Sequence, residues 1–153
     1  RSSAASDVYK RQIYTVLAEN DDNSDPIVDI ARASLDGQVL LSRSLADAAH
    51  YPAIDLNGSI SRVMQSLVDQ KTNYLGGRFR RLWSLYQQNE DLIKVGAYKS
   101  GTNAELDEAI RVREKMISFL RQDFNQHHSF QDSIKDMSTI MNESESLLKS
   151  PMS

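Results

Sequence analysis

The 153-residue chain contains no cysteine. That excludes disulfide frameworks, thiol nucleophiles and cysteine metal sites; it fits a reducing cytoplasm without requiring one. No apolar run approaches the length needed to span a bilayer and no signal peptide is visible, so a soluble chain is expected. No G-x-x-x-x-G-K-S/T phosphate loop occurs, so neither a backbone cradle nor a lysine for phosphates is encoded, and catalysis by this chain alone is not expected. A formal net charge of -3 offers no basic footprint for charge-driven nucleic-acid binding.

What is present begins after residues 1–12, RSSAASDVYKRQ, which lack apolar periodicity and read as a non-native, adapter-derived extension. Ile13 to Leu17 is rich in β-branched, aromatic and aliphatic residues and reads as a strand. The acidic run Asn20 to Asp25 lacks the alternating ligands, glycine and terminal glutamate of a calcium loop, so a solvated loop is expected and no metal site is assigned. Asp25-Pro26 then starts a helix, with a capping carboxylate and proline at the first helical position. Its face is Ile27, Ile30, Ala31 and Leu35, and it ends near Gly37.

The stretch from Gln38 to Met64 organises the chain. Val39, Leu40 and Leu41 form a short apolar run suited to a strand buried on both faces, as in a parallel sheet. Ser42 or Ser44 caps a helix that stops before Tyr51-Pro52. Asn57-Gly58 reads as a turn, and Ser59 or Ser61 as the cap of a helix with Ile60, Val63, Met64 and Leu67 on its apolar face. Arg62 points away from that face and suits an anionic partner such as phosphate or carboxylate; a solvated or ion-paired arginine is the alternative.

Beyond Met64 the pattern is helical. Leu75, Phe79, Leu82 and Tyr86, widened by Trp83, predict a long helix from about Gln70 to Asp91, with a kink or later start at Gly76-Gly77. Arg78, Arg80 and Arg81 beside Phe79 and Trp83 invite a nucleic-acid reading, but the two aromatics share the core stripe and the arginines are expected on a solvated face. Gly96 breaks the helix, and Thr102 with Glu105 forms a capping-box pattern. The next helix buries Leu106, Ala109, Ile110, Ile117 and Leu120, with Met116 and Phe119 adjoining. His127 and His128 lack spaced partners for a metal and read as a polar linker. A last amphipathic segment from Ser129 carries Phe130, Ile134, Met137 and Met141 on one stripe, free to dock on this domain or on a partner helix.

Four passages, LSRSLADAAHYPAID, SISRVM, NEDLIKVGAY and DEAI, together resemble the end of the nucleotide-binding domain of hexameric ATPases related to the rotary ATP synthase β subunit. The likeness is strongest to the flagellar type III protein-export ATPases and covers about residues 13–120. It implies the α/β remnant of a RecA-like P-loop nucleotide-binding domain over 13–68 and a C-terminal α-helical domain over 69–124, mostly helical overall. A polar linker and helical tail follow over 125–153. Since a whole ATPase of this kind is about three times longer, a C-terminal fragment is expected.

The same resemblance implies function. The whole protein would be a homo-hexamer that uses ATP and Mg²⁺ to drive flagellar protein export in the bacterial cytoplasm. It would sit at the cytoplasmic face of the export apparatus, peripheral to the inner membrane and not inserted. Its partners would be a central stalk, regulatory proteins, exported substrates and chaperones, with no nucleic acid. Arg62 matches the arginine finger that acts across subunits, Tyr51 the aromatic on which adenine stacks, and Tyr98 the pocket's other wall. Asp21, Asp22 and Asp25 match the loop facing the stalk, and the metal ligands fall outside this chain. The alternatives are the ATPase of a virulence type III secretion system and a non-catalytic helical module that binds a partner.

Overall fold

The computed structural model describes residues 13–17 and 26–149. These divide into two compact units, Arg1–Leu35 and Asp36–Ser153. In the first unit, residues 13–17 form no regular element, with Ile13 and Leu17 almost fully exposed, so the expected strand is absent. A β-rich segment becomes a strand only when another strand takes its backbone hydrogen bonds. Helix α1, Pro26–Ser34, starts at the expected proline and carries an Arg32–Asp29 ion pair one turn apart, but Ile30 on its apolar face is exposed.

The second unit opens with strand β1, Gly37–Leu41, which pairs antiparallel with β2, Ile54–Ser61. The apolar run is therefore an antiparallel strand, and it is not buried on both faces: Val39 and Leu41 are exposed while Gln38 and Leu40 turn inward. Helical packing on this pair comes from α4. Gly37 is needed at the start of β1, because a Cβ there would lie 2.7 Å from the Ile60 carbonyl oxygen. Asn57-Gly58 is not a turn between two elements. It lies inside β2, where the register slips between Gln38 and Leu40, and the helix expected from Ile60 shrinks to α3, Met64–Leu67.

Helix α4, Gln70–Lys94, follows the expected stripe. Asp69 caps it, accepting from the Thr72 N–H at 2.7 Å and from the Thr72 hydroxyl at 3.0 Å, and these hydrogen bonds hold its carboxyl below the usual range. The helix runs unbroken through Gly76-Gly77. Each glycine costs about 1 kcal/mol there, which burial of Leu75 and Phe79 on either side offsets at about 1.5–3 kcal/mol per side chain. Gly96, at φ 71°, ends α4 by sending its N–H to Ile93 O while Ala97 N–H reaches Leu92 O.

Helix α5, Ala104–Leu120, is capped by Asn103, whose side-chain oxygen accepts from Glu105 and Leu106 N–H at 3.1 Å; the expected cap lay one residue earlier, at Thr102. Glu105 instead pairs with Arg81, and Arg78 pairs with the buried Glu108, so two of the three arginines tie α4 to α5. The third, Arg80, donates to Ser59 O on β2. Arg80 and Arg81 are exposed, as expected of a solvated face, and Arg78 is largely covered, but all three also bond to neighbouring elements. Helix α6, Phe130–Lys149, is started by a reciprocal Ser129–Asp132 box and docks on α4 and α5. Its Met141 is fully buried with Leu75, Phe79, Leu82, Trp83, Leu106, Ala109, Val112 and Met116 in one core. Arg113 lies over the Trp83 and Tyr86 rings at 3.9 and 4.4 Å, using the aromatic faces that a nucleic-acid base would have needed.

Candidate functional site

Helix α2, Arg43–Asp47, is capped by Ser42, one of the two serines expected for that role. It ends in a Schellman turn: Ala49 N–H donates to Ala46 O at 2.9 Å and His50 N–H to Leu45 O at 2.9 Å. That turn requires Ala49 at φ 52°, a left-handed conformation that costs a non-glycine residue about 1–2 kcal/mol. The reversal buries His50 and leaves Tyr51 exposed, and a cis peptide joins Tyr51 to Pro52. Tyr51 O accepts from Gln122 N–H at 3.0 Å, which fastens the segment to the C-terminal end of α5. An open cleft of about 540 Å³ lies here, lined by Ala49, Tyr51, Ile117, Arg121, Gln122 and neighbours. Burial lowers the His50 pKa, and the charges of Arg121 and then Arg113 push it the same way.

Arg62 stands at the other end of β2. It lies in a bend rather than on a helix, is exposed, and sends its backbone N–H to Asp36 O at 2.8 Å. The bulge leading to it is held from within. Leu40 N–H donates to Ser59 Oγ at 2.9 Å, Ser59 Oγ donates to Asp55 O at 2.6 Å, and Gln38 Nε2 reaches Gly58 O at 3.1 Å.

Tyr98 does not join Tyr51. Its hydroxyl lies 3.0 Å from both Asn103 O and Asp107 Oδ1, at the N-terminal end of α5. From Asp107 to Gln122 the chain runs almost wholly along α5, which at 1.5 Å per residue separates the two tyrosines by about 20 Å. Asp107 also accepts from Gly101 N–H and the Ser100 hydroxyl, and these bonds, led by the Gly101 one, lower its pKa. Tyr98 is thus part of a closed loop network. Asp21, Asp22 and Asp25 lie outside the described residues. Among the described residues no group of three or more His, Asp or Glu is placed to hold a metal ion, and no helix is long and apolar enough to cross a membrane.

Apart from Tyr51, the sequence singles out none of the cleft residues as a site residue; Ile117 and Gln122 show why. Ile117 read as core, and Gln122 carries no local signal, because only packing of α5 against the α2–β2 connection brings it to Tyr51.

The strand pair, with Tyr51 before β2 and Arg62 just after it, leads into the helical domain, and two family models meet near that junction. Residues 11–61 match the nucleotide-binding domain of the ATP synthase alpha/beta family, and residues 68–139 match the C-terminal domain of the type III secretion EscN ATPase. The chain is homologous to the C-terminal part of the flagellum-specific ATP synthases. It is 48% identical over 128 residues to the flagellum-specific ATP synthase of Pseudomonas aeruginosa and 45% over 127 residues to that of Salmonella typhimurium. These matches span 84% and 83% of this chain but 28% of each relative.

The solved structure of the assembled ATPase EscN from the enteropathogenic E. coli type III secretion system matches with a TM-score of 0.80 at 36% identity, over 83% of this chain and 31% of that one. EscN in complex with its central stalk EscO matches with a TM-score of 0.72 at 34% identity, over 75% of this chain and 28% of that one.

Proposed function

We propose that this chain is the C-terminal part of a homo-hexameric ATPase that uses ATP hydrolysis to drive flagellar type III protein export. The observation that carries the reading is that Tyr51 and Arg62 leave opposite ends of β2, a separation suited to their serving different nucleotides of a ring. Tyr51 presents an exposed ring beside an open cleft lined by apolar Ala49 and Ile117 and by polar or charged residues that include Glu114, Arg121, Gln122 and Asp123. Those features fit a purine base, which the ring would stack on while the polar lining offers hydrogen-bond partners for its edge.

Bound ATP supplies the phosphoryl group that is transferred to water. Arg62 reaches the nucleotide of the neighbouring protomer, and its planar, permanently charged fork stabilises the charge that develops on that group. The phosphate loop and the Mg²⁺ ligands belong to residues of the complete protein outside this chain. Tyr98 braces the α4–α5 loop and takes no part in the base pocket.

The central stalk is the expected partner in the ring, as EscO is for EscN, with Asp21, Asp22 and Asp25 its candidate contacts. Exported proteins, their chaperones and regulatory proteins complete the partner set, at the cytoplasmic face of the export apparatus. The match to EscN supports a virulence secretion ATPase as the second reading.

The test is turnover of the complete parent ATPase as wild type and Arg62→Ala, with nucleotide binding and ring assembly followed in parallel. Removal of the finger should cost roughly 10³-fold or more in turnover while binding and assembly persist. Unchanged turnover would return Arg62 to a surface role. A parent chain that neither binds nor hydrolyses ATP would establish a helical partner-binding module instead.

A further inference from the structure

Residues 56–59 of β2 face the single residue Val39, because Asp55 pairs with Leu40 and Ile60 with Gln38. A bulge of this size breaks the ladder that would otherwise fix the strand, so other bonds must set its shape. Three of those bonds come from α4. Ser84 Oγ donates to Asn57 Oδ1 at 2.7 Å, Asn57 Nδ2 donates to Gln87 Oε1, and Arg80 Nη2 donates to Ser59 O at 3.1 Å. Arg80, Ser84 and Gln87 recur at i, i+4 and i+7, which puts them on one stripe of the helix. Both ends of the Asn57 amide are used. Leu56 alone supplies apolar contact with the core, while the half-exposed polar bonds around it fix direction more than they add adhesion.

Arg62 follows three residues after Ser59. The segment between them is paired with β1, Ile60 with Gln38 and Ser61 with Gly37, and is held from α4 by Arg80 on Ser59 O and from Asp36 O by the Arg62 N–H. Helix α4 packs on both α5 and α6, so a shift of the helical domain moves the Arg80 anchor and not the Asp36 one.

We infer that the seam formed by Asn57, Ser59, Arg80, Ser84 and Gln87 positions Arg62 and couples the helical domain to the chemical step. The inference rests on Arg62 acting as the arginine finger, and it makes Arg80 and Asn57 positioning residues. A displacement of about 1 Å at a reacting geometry costs on the order of 10²-fold in rate, so a modest slackening of the seam is enough to register.

The experiment uses the complete parent ATPase carrying Asn57→Ala, Arg80→Ala or Arg80→Lys. It reads kcat, KM for ATP, ring assembly and affinity for ADP with aluminium fluoride, which mimics the transferring phosphoryl group. Each alanine variant should lose roughly tenfold or more in kcat and in affinity for the mimic, with KM within about twofold and rings intact. Arg80→Lys keeps one donor for Ser59 O and should recover most of the loss.

Wild-type kcat in both alanine variants overturns the proposal, as does a rise in KM with a parallel fall of kcat and assembly, which marks a merely structural seam. The underlying reading fails separately: an active Arg62→Ala enzyme removes the finger itself, whereas an inactive Arg62→Ala enzyme beside fully active seam variants removes only the positioning role.

Discussion

His50 is buried at 5% exposure, and burial together with Arg121 and Arg113 lowers its pKa from the ordinary 6.5. The unfolded chain therefore binds this proton more readily than the folded one. The stability that neutral His50 allows is complete above pH 6.5 and is lost as pH falls below it, toward the lower folded-state pKa. Urea midpoints of the chain should decline over that window, and the decline should flatten in His50→Gln; an equal slope in both would remove His50 as the cause. At the same scale the two tyrosines part company. Tyr98→Phe removes a hydroxyl held at 3.0 Å from Asn103 O and Asp107 Oδ1, and should cost about 1 kcal/mol in thermal unfolding without changing nucleotide affinity of the parent ATPase. Tyr51→Ala should do the reverse, weakening nucleotide binding with little loss of melting temperature. A Tyr98→Phe protein with impaired nucleotide binding would reinstate Tyr98 as a pocket wall.

Among elements, the helices were the most legible. A 3.6-residue stripe is carried by each helix's own sequence, so α4 and α5 appear where periodicity puts them, with Leu75, Phe79, Leu82 and Leu106 inside. Helix α6 was readable as an amphipathic segment, but whether it would meet this domain or another chain was not. Met141, at 0% exposure, shows that it meets α4 and α5. Met141→Ala should therefore destabilise the chain by about 2–5 kcal/mol, and a melting temperature unchanged from wild type would mean that α6 does not dock in solution. The strands were less legible. Ile60, Val63, Met64 and Leu67 fit a helical period, yet Ile60 pairs with Gln38 in β2, and the Asn57-Gly58 signal that marks a turn in isolation serves here as a bulge. Short apolar segments satisfy both periods, and the partner strand decides between them.

At the scale of the whole molecule, passages spread from Leu41 to Ile110 pointed to the family before any coordinates. Sequence also decided the helical stripes, a serine cap at Ser42 or Ser44 and the break at Gly96, because each depends on residues within a turn or two of one another. Three things were decided by the tertiary structure. It separated Tyr98 from Tyr51 by the length of α5, brought Gln122 to Tyr51, and gave Arg78, Arg80 and Arg81 the partners Glu108, Ser59 and Glu105. The physical reason is common to all three: local periodicity specifies which face of an element is apolar, but polar partners 20 to 70 residues apart in the chain meet only once the elements have packed.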